Sequence, residues 1–206
     1  MPYLYRMAEI THETGIPVMR SMVLEYQDDD ACIYLDKQYM LGESILVAPI
    51  FNDEGKAKYY LPEGKWTNFI TGKKYEGGRW IKEKHDYLSV PMMIKENSII
   101  AVGAEDSKPD YDYRKDVSLL VYELKENTKA GAKVFDMNNE EKLSVEVLKN
   151  DNKIVIESKG TEEGWTLLLK DIVNVESVEG AEFILEENDT KIKVNSGNSK
   201  IFCILK

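Results

Sequence analysis

From Ser44 to the last residue, the sequence never lets an apolar stretch run on. "SILVAPIF", "KYYL", "KWTNFI", "YLSVPMMI" and "SIIAVG" are cut apart by "NDEG", "PEG", "TGKK" and "EGG". Short β-branched and aromatic runs between Gly, Pro, Asn and Asp close off long amphipathic helices. They select antiparallel strands that bury one face against a second sheet, the pattern of a β-sandwich. A polar stretch, "GAEDSKPDYDYRKD", interrupts, and then the strands resume as "SLLVYEL", "AKVFDM", "LSVEVLK", "KIVIES", "WTLLLK", "AEFILEE", "TKIKVN" and "KIFCILK". In the seventh of these, Ile192 and Val194 face one way while Lys191, Lys193 and Asn195 face the other, the period of two of a half-buried strand. The expectation is two all-β units, residues 44–103 and 104–206, with a linker at about 104–116.

Residues 1–43 read differently, as α/β. A helix is predicted over 1–14, with Leu4, Met7, Ala8 and Thr11 on one face, stopped by Gly15 and Pro17. "IPVMRSMVLEY" lacks polar alternation, so a strand covered on both faces is expected, as in a parallel sheet. Asp28, Asp29 and Asp30 then cap a second predicted helix, roughly 30–41, ended by Gly42. One strand with two helices cannot cover both of its faces, and its unpaired edge would invite aggregation, so this stretch calls for a missing partner.

The chain has 206 residues, 43% of them hydrophobic, enough for one core or two small ones. A formal net charge of −10 argues against nucleic acid or an anionic membrane as partner. No apolar run approaches the roughly 20 residues of a membrane span. Cys32 and Cys203 sit in apolar surroundings; buried free thiols of a reducing compartment, hence a cytoplasmic location, are the stronger reading, and a disulfide joining the two the weaker. His12 and His85 lack metal-ligand spacing, so no metal or cofactor is expected. His12 reads as a surface residue at a helix end, and His85 as a turn or strand-edge residue. Ser21 lacks a nucleophile-elbow context and reads as packed in its strand. Arg20, a charge inside an apolar strand, is expected in a structural ion pair with an upstream carboxylate rather than on substrate. Trp66, Trp80 and Tyr87 are read as core or interface aromatics, with a sugar-stacking face as the sharper alternative.

"YLYRMAEITHETGIPVMRSM", "DDDACIYLDKQYMLGESILVAPIF" and "YYLPEGKWTNF" together resemble the C-terminal part of family 31 glycoside hydrolases. The family pattern of a PYLY helix, a G-x-PV-x-R strand, a DxQ(Y/F)-x-x-G helix and an LVAP strand is met by Pro2 to Tyr5, Gly15 to Arg20, Asp36 to Gly42 and Leu46 to Pro49. "GGRWIKEKHDYLSVPMMIKENSIIAVG" and "KPDYDYRKD" look more like the bacterial α-xylosidases than the α-glucosidases, and "GWTLLLKDIVNV" is similar to that subgroup's last domain.

The resemblance implies a mainly β chain. Residues 1–43 would be the closing end of a (β/α)₈ catalytic barrel, 44–103 a proximal β-sandwich and 104–206 a distal one. It implies a retaining enzyme whose nucleophile and acid/base are aspartates in upstream barrel segments. Neither motif is present, and Asp36 and Asp171 have the wrong contexts to replace them. Met1 falls where the family has an internal position. The expectation is therefore a C-terminal piece of an α-xylosidase, inert alone, with no catalytic residue, no identified substrate-binding residue and no metal ligand. Its oligosaccharide substrate would be met only through the full-length enzyme, and a homo-oligomer is compatible with this reading. The alternatives are an α-glucosidase parent, or a non-catalytic carbohydrate-binding or structural β-sandwich protein.

Overall fold

The computed structural model describes residues 1–160, 163–196 and 200–206. They form two compact units: Ile10–Glu96, and Asn97–Lys206 together with Met1–Glu9. Both are built almost entirely of β-strands, and no closed barrel forms among the described residues.

Helix α1 (Pro2–Thr14) opens the chain. Pro2 stands at its first position, where a missing N–H costs nothing. Gly15 ends it at φ +76°, its N–H donating to Thr11 O at 2.9 Å. The buried stripe is not the expected one: Tyr3 and Met7 are buried, while Leu4 and Ala8 face solvent. An aromatic ring at position 3 covers more apolar area than the Leu4 or Ala8 side chain, and that decides the helix's rotation.

In the first unit, β1 (Met19–Ser21), β2 (Tyr39–Leu41), β3 (Ile45–Val47), β4 (Lys56–Leu61), β5 (Lys65–Asn68), β6 (Lys74–Glu76), β7 (Arg79–Lys84) and β8 (Met92–Lys95) follow in sequence. Six make one antiparallel sheet in the order β1-β2-β3-β8-β5-β6, and β4 and β7 form a separate ribbon. Trp66, Tyr59, Leu61, Leu46, Met40, Met93 and Met22 are fully buried in the core of this unit. They join the ribbon's inward face to the sheet, which is the sandwich-like layering the sequence pattern predicts.

Two expectations for residues 16–43 are corrected. The strand is three residues long and pairs antiparallel with β2, Arg20 opposite Met40, rather than lying in a parallel sheet. It is followed at once by helix α2 (Met22–Glu25). The predicted second helix is absent: a single 3₁₀ turn, Asp30–Cys32, gives way to β2. Asp29 does cap it, accepting from the Ala31 N–H at 3.0 Å. The chain then stays extended because the Gln38 side chain, 6% exposed, is clipped to the backbone of Tyr60 in β4. Those tertiary hydrogen bonds override a local helix preference that amounts to only a few tenths of a kcal/mol per residue. Gly42 is a turn glycine between β2 and β3, at φ +65°, not a helix stop.

The second unit holds β9 (Ser98–Val102), β10 (Ser118–Tyr122), β11 (Lys129–Phe135), β12 (Glu141–Asn150), β13 (Lys153–Lys159), β14 (Trp165–Leu169), β15 (Val175–Glu179), β16 (Glu182–Leu185), β17 (Thr190–Val194) and β18 (Lys200–Leu205). One sheet runs β16-β17-β14-β10-β9 and the other β11-β12-β13-β18-β15. Alternation is clean: Leu143, Val145 and Val147 on β12, Trp165, Leu167 and Leu169 on β14, and Ile192 and Val194 on β17 all point into one core. One pair departs from an antiparallel sandwich, since β10 and β14 are parallel, with Val121 opposite Leu169. Between them the chain builds β11 to β13 in the opposite sheet, supplying the crossover a parallel pair needs.

The polar stretch expected as a linker runs between β9 and β10, hydrogen-bonded neighbours in one sheet. It is held down by Tyr113, 2% exposed, whose hydroxyl donates to Pro109 O at 2.8 Å. Asn97 starts the unit with three hydrogen bonds. Its N–H donates to Glu123 O, its Oδ1 accepts from the Lys125 N–H, and its Nδ2 donates to Lys129 O.

Candidate functional site

A polar cluster in the first unit centres on Glu83. Along β7, Ile81 and Glu83 face inward with His85 just beyond, the period-two consequence of "RWIKEKH". Antiparallel pairing sets Glu83 opposite Ala57 and Ile81 opposite Tyr59, so Tyr59 reaches Glu83 diagonally. The Tyr59 hydroxyl donates to Glu83 Oε2 at 2.8 Å, and the Tyr75 hydroxyl, from β6 in the other layer, donates to Glu83 Oε1. Glu83 thus ties ribbon to sheet.

His85 stands next to it, with a side chain only 11% exposed. Its Nε2 lies 3.4 Å from Glu83 Oε2, an ion-pair distance for a protonated ring but without the alignment of a hydrogen bond. Its Nδ1 is 3.1 Å from Ser89 Oγ, and the Ser89 hydroxyl donates to Asp86 Oδ1 at 2.9 Å. The segment is fastened to the neighbouring turn by the His85 N–H, which donates to Gly55 O. Gly55 needs to be glycine: at φ +69°, a Cβ there would stand 2.2 Å from His85 O.

Burial raises the Glu83 carboxyl, but the hydroxyls of Tyr75 and Tyr59 and the nearby His85 outweigh it and hold the group below the usual glutamate value. Burial and the same bond push Tyr75 up to about 12, and Tyr59 higher still. Asp86 is held low by the Ser89 hydroxyl and the Leu88 N–H. Two clefts adjoin His85, one of about 430 Å³ on the Tyr75 side and one of about 640 Å³ beside the Asn52–Gly55 turn. Nothing in the sequence reading singled out Glu83. The signal available was the alternation that puts a glutamate and a histidine on the inward face of a strand with tyrosines opposite.

Of the residues the sequence singled out, Arg20 is 5% exposed and does form an ion pair. Its partner is local: Nη1 donates to Glu25 Oε1 at 2.7 Å, while Nε donates to Pro17 O at 3.1 Å. The three aromatics do not form one stacking face. Trp66 is fully buried, with Nε1 donating to Pro62 O at 2.8 Å. Trp80 is half exposed against Tyr60, with Lys58 Nζ 4.7 Å from its ring centre, and Tyr87 is fully exposed. Ser21 is exposed at a strand end, not packed. His12 is exposed in the last turn of α1. Cys32 and Cys203 are free and buried, and burial pushes each thiol up to about 11. Among the described residues, no three His, Cys, Asp or Glu side chains gather as a metal site, and no helix is long and apolar enough to cross a membrane.

Two family models tile the chain. "Glycosyl hydrolase family 31 C-terminal domain" matches residues 15–100, and "Alpha-xylosidase YicI, C-terminal domain" matches residues 112–205. The chain belongs to glycoside hydrolase family 31, as a C-terminal part. Within the family, the α-xylosidase XylQ of Lactiplantibacillus pentosus is 40% identical over 166 residues, 78% of this chain and 21% of that protein. An α-glucosidase of Saccharolobus solfataricus is 32% identical over 148 residues, 71% of this chain and 19% of its own length. The cycloalternan-forming enzyme of Listeria monocytogenes, solved in complex with a pentasaccharide substrate, shares the fold at a TM-score of 0.84 and 21% identity, over 100% of this chain and 22% of that one. The chain thus spans about a fifth of the length of these two curated relatives.

The family 31 motif residues have architectural roles here. The arginine of G-x-PV-x-R holds Glu25, and the glutamine of DxQ holds Tyr60. Leu46 and Ala48 of LVAP lie in the core.

Proposed function

We propose that this chain serves as the non-catalytic C-terminal β-region of a retaining α-xylosidase, an enzyme that removes terminal α-xylosyl units by double displacement between two carboxylates about 5 to 5.5 Å apart. What carries the reading is the second family model, an α-xylosidase's own C-terminal domain, over residues 112–205. The 40% identity to XylQ supports the same specificity. Neither of the clustered carboxylates is poised as a general acid. Glu83 and Asp86 are both held below their ordinary values, the opposite of what a general acid needs.

The resemblance alone carries the assignment of residues 1–43 to the closing end of a (β/α)₈ barrel and of 44–103 and 104–206 to proximal and distal domains. A cytoplasmic location is likewise our reading, from the two unpaired cysteines. A second reading, an α-glucosidase parent, is favoured by the Saccharolobus relative.

Expressing this chain alone and within its extended reading frame, and assaying both with aryl α-xyloside and α-glucoside, tests the proposal. We expect no turnover by the chain alone, and α-xyloside preference in the extended protein. Preference for α-glucoside would replace the parent. A stop codon and ribosome-binding site immediately upstream of Met1 would leave a binding or structural role.

A further inference from the structure

The polar segment between β9 and β10 has little of its own to hold it. Between Val102 and Val117, Tyr113 is the one buried residue. The segment's hydrogen bonds are short-range turns. Ser107 donates to Glu105, the Arg114 guanidinium and the Lys115 N–H donate to Asp112, and the Tyr113 hydroxyl donates to Pro109 O. A stretch with one buried anchor and local bonds is drawn from the low end of a protein's local stabilities.

The footing of that anchor is helix α1. The Tyr5 ring meets the Tyr113 ring edge-on, with centroids 5.4 Å apart and planes at 61°. Tyr111 packs edge-on against Tyr113 as well, at 4.9 Å and 85°. Gly103 makes room for it, since a Cβ there would stand 1.7 Å from the Tyr111 hydroxyl oxygen. Tyr5 and Tyr111 both pack against the core of the second unit, to which Tyr113 itself belongs.

The dependence also runs the other way. Helix α1 has 13 residues, a length at which an isolated helix is marginal in water, so it needs a docked face. Its first turns, Met1–Glu9, belong to the second unit. There Tyr5 rests on Tyr113, and the Arg6 guanidinium, paired with Glu9, lies 5.2 Å from the centre of the Phe135 ring. Without α1, Tyr113 loses an edge-on partner. Without an ordered 103–116 segment, Tyr5 loses the ring on which it sits. Two weakly held elements that each supply the other's footing are coupled, and the coupling is reciprocal.

We propose that residues 2–9 and residues 103–116 form a two-part strap on the second unit, opening and reclosing as one cooperative element while both sheets stay folded. The Tyr5–Tyr113 contact is its catch. The strap goes beyond the role proposed above and does not depend on which sugar the longer protein cleaves.

Limited tryptic digestion of the full 206-residue chain, read by mass spectrometry, tests this. Trypsin cuts after Arg6 in one part of the strap and after Arg114 and Lys115 in the other. Where cleavage is slow relative to reclosing, its rate reports the population of the open state. Each variant is read at the site far from the substitution. Tyr5→Ala should speed cleavage after Arg114 and Lys115 about tenfold, the worth of one edge-to-face pair and the area it covers. Tyr113→Ala should speed cleavage after Arg6 by a similar factor. Cleavage after Lys149 and Lys153, on either side of the β12–β13 turn, should not change in either variant. If Tyr113→Ala unfolds the second unit, Tyr5→Ala decides alone. An unchanged rate at the far site of a folded variant would overturn the proposal. So would equal acceleration at Lys149 and Lys153, or loss of the whole second unit in Tyr5→Ala, because the strap would then not open separately from the sheets.

Discussion

Gln38 and Tyr60 exchange two hydrogen bonds, Gln38 Nε2 donating to Tyr60 O at 2.8 Å and the Tyr60 N–H donating to Gln38 Oε1 at 2.7 Å. A buried side chain thereby completes the pairing of a backbone position, as a neighbouring strand would. Gln38→Leu would leave both Tyr60 groups buried without partners, at a cost of about 3 kcal/mol. Hydrogen exchange at Tyr60 should accelerate in step with a lower urea midpoint. An unchanged midpoint would mean that water replaces the amide freely.

Arg20 and Glu25 are unequal partners, with side chains 6% and 24% exposed. Glu25→Ala strands a buried guanidinium and should cost about 2 kcal/mol, whereas Arg20→Met leaves a carboxylate that reaches water and should cost less, about 1 kcal/mol. In the double-mutant cycle, Glu25→Ala should be nearly neutral once Arg20 is methionine. A full effect in that background would show that Glu25 acts through something other than the ion pair.

The tryptophans separate core from surface. Trp66→Ala removes a fully buried indole and its bond to Pro62 O, and should cost about 4 kcal/mol. Trp80→Ala, at a half-exposed position, should cost about 1 kcal/mol or less. Equal destabilisation by thermal melting would contradict this partition.

Glu83 links stability to pH. Its folded-state carboxyl lies below the ordinary value of about 4.5, so folding favours the ionised form. The stabilisation is fully present above that ordinary value and is lost as pH falls through the folded one. The stability gap between the wild type and Glu83→Gln should therefore be widest near neutrality and close in acid. A gap independent of pH would rule out the linkage.

Much of the second unit was legible. Alternation in "TKIKV" put Ile192 and Val194 inward, and they are buried, because a strand's side-chain period depends only on local backbone geometry. The helix stop at Gly15 was readable for the same local reason. Residues 30–41 were not: "LDKQYM" carries helix-compatible residues, and its extended state rests on a clip to Tyr60, 22 positions away. Trp66, Trp80 and Tyr87 read together as core or interface aromatics, and only Trp66 is fully buried, since an indole's environment is not written in its neighbours. Glu83 was hidden because its hydroxyl partners lie 24 and 8 residues upstream.

The sequence by itself determined the β-rich class, the spacing of the short strands, the motifs that mark a family 31 C-terminal part, and the side each alternating residue faces. All of these depend on residue type and near neighbours. Only the tertiary structure decided that β10 and β14 run parallel, that the polar stretch after β9 links two strands of one sheet, and that Arg20 pairs with Glu25. It alone brought Tyr59, Tyr75, Glu83 and His85 together. Strand order and buried polar partners are settled by which groups can be satisfied once water is excluded, and that depends on the whole packed chain rather than on any short stretch of it.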